Sequence, residues 1–318
     1  MDFDKKYLQQ NRFQALPLEL ALQIIGTALG YIFASLVTPN GLVWFTRNHL
    51  WYTIGFQILR TTFVILISGR DSNHLIYKTA PKDINWIFVG PEFHALHHVY
   101  PDRYMGSFVK VFDWIWGTAY SFRRKRFTII GGSQAFSKAI IAQLECEQGI
   151  ACIRKLKLGT DWDHDQFEKL IPILSDTDIL ILGYGSDDQD EVESNCKSAT
   201  RLVKSFKKYR AINPACPALP EVWYVGSENE FCQPWEERRS FLSHARSFFD
   251  DPDIIYRHVV LPCASSLETG AFDADWAAKC AMWWIRRGAR YIPVKFTGSS
   301  CLNYFKFMYR IPHANDVD

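Results

Sequence analysis

The apolar run from Leu16 to Val37 constrains the fold of this chain most strongly. It is interrupted by the polar side chains of Glu19, Gln23 and Thr27, and as a helix it is long enough to cross the hydrocarbon of a bilayer. A helix buried in a soluble domain is the alternative, and the acidic Glu19 near one end leaves that alternative open. The run predicts a first membrane helix.

A second apolar region follows from Gly41 to Ser68, after a tight Thr-Pro-Asn-Gly turn. Two spans joined by such a turn predict a membrane hairpin that returns the chain to its starting side. Arg60 would then be a charge inside the membrane and would need a partner, for which Asp71 is the nearest candidate in sequence. The basic cluster from Arg123 to Arg126 places that side in the cytoplasm.

Composition narrows the functional classes. A length of 318 residues allows two domains, and a formal net charge of +2 gives no electrostatic case for nucleic-acid binding. The aromatic content of 15% favours contact with a membrane or a large apolar interface. Eight cysteines lie beyond residue 140 without a Cys-x-x-Cys pair, which predicts a reduced, cytosol-facing domain with buried thiols.

Three histidines lie close together in the sequence Gly-Pro-Glu-Phe-His-Ala-Leu-His-His. In a helix, His94, His97 and His98 share one face and can converge on one metal ion, and neutral imidazole suits iron, copper or zinc. Histidines at a surface or hydrogen-bonded in a core are the alternative. His74 is a further candidate ligand upstream, whereas His49, beside Arg47 and Trp51, is more typical of a membrane interface.

This histidine motif and the Asp-x-x-x-Gly-Thr sequence from Asp113 to Thr118 resemble the last histidine box of the fatty acid hydroxylase and sterol desaturase superfamily. The resemblance covers roughly residues 1–120 and implies a membrane di-iron enzyme that activates dioxygen against a lipid C–H bond. It also implies a metal role for His74, His94, His97 and His98. That set is incomplete, because the family uses several boxes and the chain is expected to begin downstream of the first two.

Beyond residue 126 the pattern changes to apolar runs that alternate with amphipathic segments, which predicts an α/β fold with a doubly wound parallel sheet. The expected organisation is a membrane domain over residues 1–122, a Rossmann-like domain over residues 127–294 and an amphipathic tail over residues 295–318. The elements expected in the second domain fall at residues 127–130, 139–144, 151–158, 178–182, 193–209, 221–225 and 254–261.

Phe127 to Leu144 has the strand, tight turn and helix that begin a dinucleotide-binding domain. It resembles the short-chain dehydrogenase family, and the chain as a whole resembles the bacterial fusion of a sterol-desaturase-like half with a short-chain-dehydrogenase half. The resemblance implies that Gly131, Gly132 and Ser133 form a degenerate phosphate-binding turn. Gln134 and Ser137 replace its second and third glycines, so Gln134 is expected to block the phosphate path and Ser137 to spoil close helix packing.

The resemblance also implies the positions of the catalytic relay. Asn195 matches the helix asparagine that supports proton transfer, and Ser227 matches the serine that binds the substrate carbonyl. Trp235 and Arg239 stand where the family has tyrosine and lysine. Because an indole N–H only donates, Trp235 cannot act as a general acid or base, and hydride transfer is expected to be lost.

The chain is therefore expected to be an integral membrane protein with its C-terminal domain in the cytoplasm. The helix expected between Lys295 and Arg310 would lie in the membrane interface or dock on the domain itself. We expect a non-catalytic binding or assembly subunit, whose partners are the bilayer and other membrane proteins, with no cofactor. One alternative is a split di-iron lipid oxidoreductase completed by another polypeptide, for which iron or NAD(P) would be needed. A sensor or binding module for a nucleotide or lipid is the other.

Overall fold

A computed structural model describes residues 11–37, 46–67, 75, 77, 79–131, 135–157, 161, 167–183, 189–210, 218–231, 236–262, 273–295 and 298–314. The helices are α1 (Leu16–Val37), α2 (Arg47–Leu66), α3 (Pro91–Val99), α4 (Val111–Trp116), α5 (Ala135–Glu145), α6 (Ile171–Ser175), α7 (Gln189–Tyr209), α8 (Glu236–Asp250), α9 (Ala274–Arg286) and α10 (Gly298–Tyr309). The strands are β1 (Arg126–Ile130), β2 (Cys152–Leu156), β3 (Ile179–Gly183), β4 (Glu221–Ser227), β5 (Ile255–Leu261) and β6 (Tyr291–Pro293).

Helices α1 and α2 pack against each other and leave most of their large apolar side chains exposed. Among the described helices, the segment Arg12–Val37 is the one long and apolar enough to cross a membrane. The Gln57 amide donates to the Thr27 hydroxyl across 2.9 Å. Arg60 lies 4.0 Å from the Glu19 carboxylate, so its partner is on the neighbouring helix, whereas Asp71 lies outside the described residues.

All six strands run parallel, in the order β2-β1-β3-β4-β5-β6. The prediction of a doubly wound sheet is confirmed, because the chain moves to one side of β1 for β2 and to the other side for β3. Helices α5 and α9 cover one face, while α6, α7 and α8 cover the other. With helices on both faces, the central strands are largely apolar, which explains the apolar runs in the sequence.

A buried ionic network joins the segment after α4 to the amino edge of the sheet. The Glu221 carboxylate, at the start of β4, accepts from the Tyr120 hydroxyl at 2.5 Å, from Arg257 Nε at 2.6 Å and from Trp223 Nε1 at 2.7 Å. Lys125 Nζ lies 3.3 Å from the same carboxylate. Burial opposes the charge on Glu221, but Arg257, Lys125 and Tyr120 outweigh that effect and lower its pKa to about 2.

Two predictions are modified by the packing. The tail helix α10 both docks and remains exposed, since Phe307 is buried against Phe249 with ring centroids 5.5 Å apart, whereas Phe305 and Tyr309 face outward. The expectation of buried thiols holds for Cys196 and is wrong for Cys146, which is exposed.

Candidate functional site

The crevice at the strand-order switch is formed by the carboxyl ends of β1 and β3. Gly131 follows β1 with a φ of +82°, and a Cβ there would overlap the carbonyl oxygen of Gly183, the last residue of β3. Glycine is therefore required at residue 131 both for its backbone conformation and for the close approach of the two strand ends. Open α/β sheets bind their ligands at such a switch point.

Ser137, on the first helix after this turn, fits the crevice. Its side chain is buried, and its hydroxyl donates to the Gly131 carbonyl at 3.3 Å. The same hydroxyl oxygen lies 2.6 Å from where a Cβ of Gly183 would be. The prediction that Ser137 spoils close packing is wrong, because the missing side chain of Gly183 leaves the space that the hydroxyl fills.

The remaining positions of the dehydrogenase resemblance are only partly placed. Ser227 ends β4 at the carboxyl edge of the sheet, two strands from β1. The side chains of Asn195, on α7, and Arg239, on α8, are outside what the structure describes. The residues that lie outside the described ranges altogether are Gly132, Ser133, Gln134 and Trp235.

A buried polar cluster near Ser227 was not predicted from the sequence. The Tyr224 hydroxyl donates to Glu230 Oε1 at 2.8 Å, and His258 Nε2 lies 3.2 Å from Glu230 Oε2. Burial and the charge of Glu230 raise the pKa of Tyr224 well above its usual value, so the phenol stays protonated as a donor. Tyr224 and His258 are paired in the register of the adjacent strands β4 and β5, and this pairing brings the cluster together. No local sequence motif encodes it.

The histidine motif forms α3, which begins after Gly90 with Pro91 in its first turn. One helical turn separates His94 and His98, and their Nε2 atoms are 3.3 Å apart. His97 Nδ1 lies 2.9 Å from the Arg103 carbonyl oxygen, an arrangement that leaves Nε2 of a neutral imidazole as an acceptor. The predicted common face is therefore present, with three rings whose centroids lie 4.9–6.3 Å apart.

The Asp-x-x-x-Gly-Thr sequence has a structural role beside this helix. The buried Asp113 carboxylate accepts from the backbone N–H groups of Met105 and Gly106 at 2.8 and 2.7 Å, and from the Thr118 hydroxyl at 2.5 Å. Gly117 ends α4 with a φ of +66°, a left-handed conformation that favours glycine. The motif fixes the loop that follows the histidines.

The donor set does not fit a di-iron centre within the described ranges. No group of three or more histidine, cysteine, aspartate or glutamate side chains is placed there to hold a metal ion, and His74 lies outside those ranges. His49 contributes elsewhere, because its Nδ1 accepts from the Thr46 backbone N–H at 3.0 Å and caps α2. Two facing imidazole nitrogens are too few ligands for two irons.

For a dinucleotide the fit is partial. The described part of the turn keeps the glycine conformation that the tight turn after β1 requires. However, β2 ends at Leu156 and is followed by the exposed Lys157, where NAD-binding domains place an acid that bonds the ribose 2′-hydroxyl. A base at this position favours a 2′-phosphate over a free hydroxyl.

Comparison with known proteins gives one relative with similarity over most of the chain. This is a Synechocystis sp. (strain ATCC 27184 / PCC 6803 / Kazusa) protein named monoglucosyldiacylglycerol epimerase, 24% identical over 299 residues that cover 81% of this chain and 72% of the relative. No protein family model matches the sequence. The ligand-free aldohexose dehydrogenase of Thermoplasma acidophilum aligns with 58% of this chain and 87% of its own, at 14% identity, but with a TM-score of 0.31 this likeness supports no conclusion. The strand order itself therefore assigns the second half to the Rossmann-like α/β class.

Proposed function

We propose that this protein binds a glycosylated diacylglycerol at a membrane surface, as a membrane-bound relative of the glycolipid epimerase. The observation that carries the proposal is the extent of the similarity, which covers 81% of this chain and 72% of the relative, and a continuous stretch of that length includes both α3 and most of the α/β sheet. A lipid with a sugar headgroup matches that architecture, because apolar helices can hold the acyl chains while a Rossmann-like sheet can hold a polar ligand.

The membrane part of the proposal rests on exposed apolar surface. We place α1 and α2 in the bilayer as a hairpin with the histidine helix beside it. The short helix α4 adds Phe112 and Trp116, which stack with ring centroids 5.6 Å apart and are 56% and 67% exposed. Exposed aromatic residues next to an apolar helix are typical of the headgroup region. The basic residues from Arg123 to Arg126 support our proposal that the sheet is on the cytoplasmic side.

Binding, rather than turnover by this chain alone, is favoured by the chemistry of the relay. Ser227 keeps a hydroxyl at the carboxyl edge, but Trp235 stands where the resembled dehydrogenases have their acid–base tyrosine. The nearby Glu230, Tyr224 and His258 are buried and bonded to one another, so they do not replace it. We therefore propose a binding or assembly subunit that works with other membrane proteins.

Crosslinking of the purified full-length protein in phosphatidylcholine vesicles, which are recovered by flotation, tests this function. When the vesicles contain monoglucosyldiacylglycerol, a crosslinker on the cytoplasmic half should attach to the lipid headgroup. Vesicles that contain plain diacylglycerol should give no such crosslink. Ser227→Ala should weaken the sugar-dependent crosslink, and Ser175→Ala, at a half-buried serine of α6, is the matched control. Equal crosslinking with both lipids would refute the proposal. Conversion of the glucosyl headgroup by the purified chain would instead assign it the epimerase activity.

The 3.3 Å approach of the His94 and His98 Nε2 atoms favours a second candidate, a split di-iron lipid oxidoreductase. Two imidazole nitrogens on one helical turn are a usable part of a metal site, and another polypeptide would supply the other ligands. Metal analysis of the protein purified alone and after co-expression with candidate partners tests this. Iron retained only in the complex, and lost in His98→Ala, would support it, whereas no iron in any complex would eliminate it.

A further inference from the structure

A small cavity lies between α3 and the amino edge of the sheet, away from the strand-order switch. Its walls include Lys82, Tyr100 and Tyr104 on one side and Arg257 and Arg290 on the other. The volume is about 50 Å³. A bound water needs roughly 10–15 Å³ by this measure, so the cavity has room for about four oxygen atoms.

Positive charge exceeds negative charge around this cavity. Lys125 and Arg257 share the single carboxylate of Glu221, and Asp83 is paired with Lys110 across 2.5 Å. Neither of the two remaining cations, on Lys82 and Arg290, has a carboxylate within 4.0 Å in the described part of the chain, and Asp250 and Asp251 act on Lys82 only from a longer distance. These two positive charges are thus left without a directly paired carboxylate.

Lys82 and Arg290 meet at the carboxyl end of α8. Lys82 Nζ donates to the carbonyl oxygens of Phe249 and Asp251 at 2.9 and 2.6 Å, and Arg290 Nη1 donates to the Phe249 carbonyl at 2.9 Å. A helix terminus carries only about half a negative charge, which is less than the two cations. Burial lowers the pKa of Lys82 to about 8, and repulsion from Arg290 adds to that effect.

Both cations also have unused donors. Lys82 uses two of its three N–H groups in the bonds above, and within the described residues Arg290 uses its Nη1 alone. A ligand that accepts these donors and carries negative charge would satisfy both the hydrogen bonds and the charge excess.

We propose that this cavity is a binding site for a small tetrahedral oxyanion of the phosphate class, held between Lys82 and Arg290. The phosphate is either free in solution or the terminal phosphomonoester of a lipid headgroup, because both present the same group. The site is separate from the crevice at Gly131 and does not depend on the glycolipid function.

Titration calorimetry of the full-length protein in detergent, with sodium phosphate as the ligand and sodium chloride as the salt control, tests the site. Phosphate should give saturable heat. Lys82→Met should weaken binding by about tenfold or more, the loss expected for a charge-assisted hydrogen bond. Lys279→Met removes an exposed cation on α9 and should leave the affinity unchanged. Unaltered binding by Lys82→Met would overturn the proposal.

A second measurement on the unmutated protein covers the case in which the variant does not fold. Acetylation of Lys82, followed by mass spectrometry, should be slowed by the occupied site, while acetylation of Lys279 should not change. Protection by inorganic phosphate identifies a free anion, and protection only by phosphatidylcholine vesicles that contain phosphatidic acid identifies a lipid. No protection by either would overturn the proposal.

Discussion

Replacing Glu221 by glutamine should destabilise the protein severely, because it removes the single carboxylate that Lys125 and Arg257 share. All three side chains are at most 5% exposed, so neither cation can turn to water after the change. Breaking a buried ion pair by removing one partner costs about 3–5 kcal/mol. The pKa of Glu221 gives a similar figure, since its lowering from 4.5 to about 2 corresponds to about 3 kcal/mol of folding free energy.

Denaturant unfolding of the full-length protein in detergent, followed by tryptophan fluorescence, measures this loss. Glu145→Gln is the matched control, because Glu145 pairs with Lys155 at 3.2 Å on the surface and should change stability by less than about 0.5 kcal/mol. Removing a cation as well, in Glu221→Gln with Lys125→Met, should restore part of the loss. A cost below about 1 kcal/mol for Glu221→Gln would refute the reasoning.

The Glu221 carboxylate also makes the stability of the fold depend on pH: its contribution to the free energy of unfolding should be complete above pH 4.5 and lost as the pH falls towards about 2. In acid titrations, the stabilities of the wild type and Glu221→Gln should therefore differ above this window and converge below it. Gly131→Ala should cost at least about 2 kcal/mol, from the positive φ and the overlap with Gly183, whereas Gly55→Ala, with no atom within 4 Å of the new Cβ, should not destabilise, as thermal melts will show. Ser137→Gly should cost about 1 kcal/mol by loss of a buried hydrogen bond and helix propensity, and a gain in stability would contradict the packing described. Asp113→Ala should cost about 3 kcal/mol or more, because two backbone N–H groups lose their acceptor, and faster hydrogen exchange at Met105 and Gly106 would locate the effect.

Local sequence patterns predicted the elements that depend on near neighbours. The buried strands read as apolar runs since both faces of the sheet are covered, and the shared face of His94 and His98 follows from the helical repeat. The contacts between residues on different strands could not be predicted from the sequence. Glu221 meets Tyr120 and Lys125 over separations of 101 and 96 residues, and no periodic pattern encodes such a meeting.

Distance along the sequence gives little guidance where a neighbour lies on another helix. Asp71, eleven positions after Arg60, is the nearest candidate in sequence, whereas the structure places Glu19 of α1 4.0 Å from Arg60. The sequence predicts that the side chain of Ser137 spoils close packing, but Gly183, more than forty residues later, has no side chain and leaves space for the hydroxyl. In both cases the tertiary fold supplies a neighbour that chain proximity does not reveal.

The histidine helix α3 and Ser227 lie at opposite ends of the sheet, which limits how they can cooperate. Leu96 of α3 and Tyr100 at its end line the cavity together with Leu219, which precedes β4, whereas Ser227 is the last of the seven residues of β4, so about 20 Å of strand separates the two ends. A hydroxyl or a hydride cannot cross that gap in one step. Any lipid handled by both halves would have to leave one end of the strand and travel around the sheet, or a second chain would have to carry it.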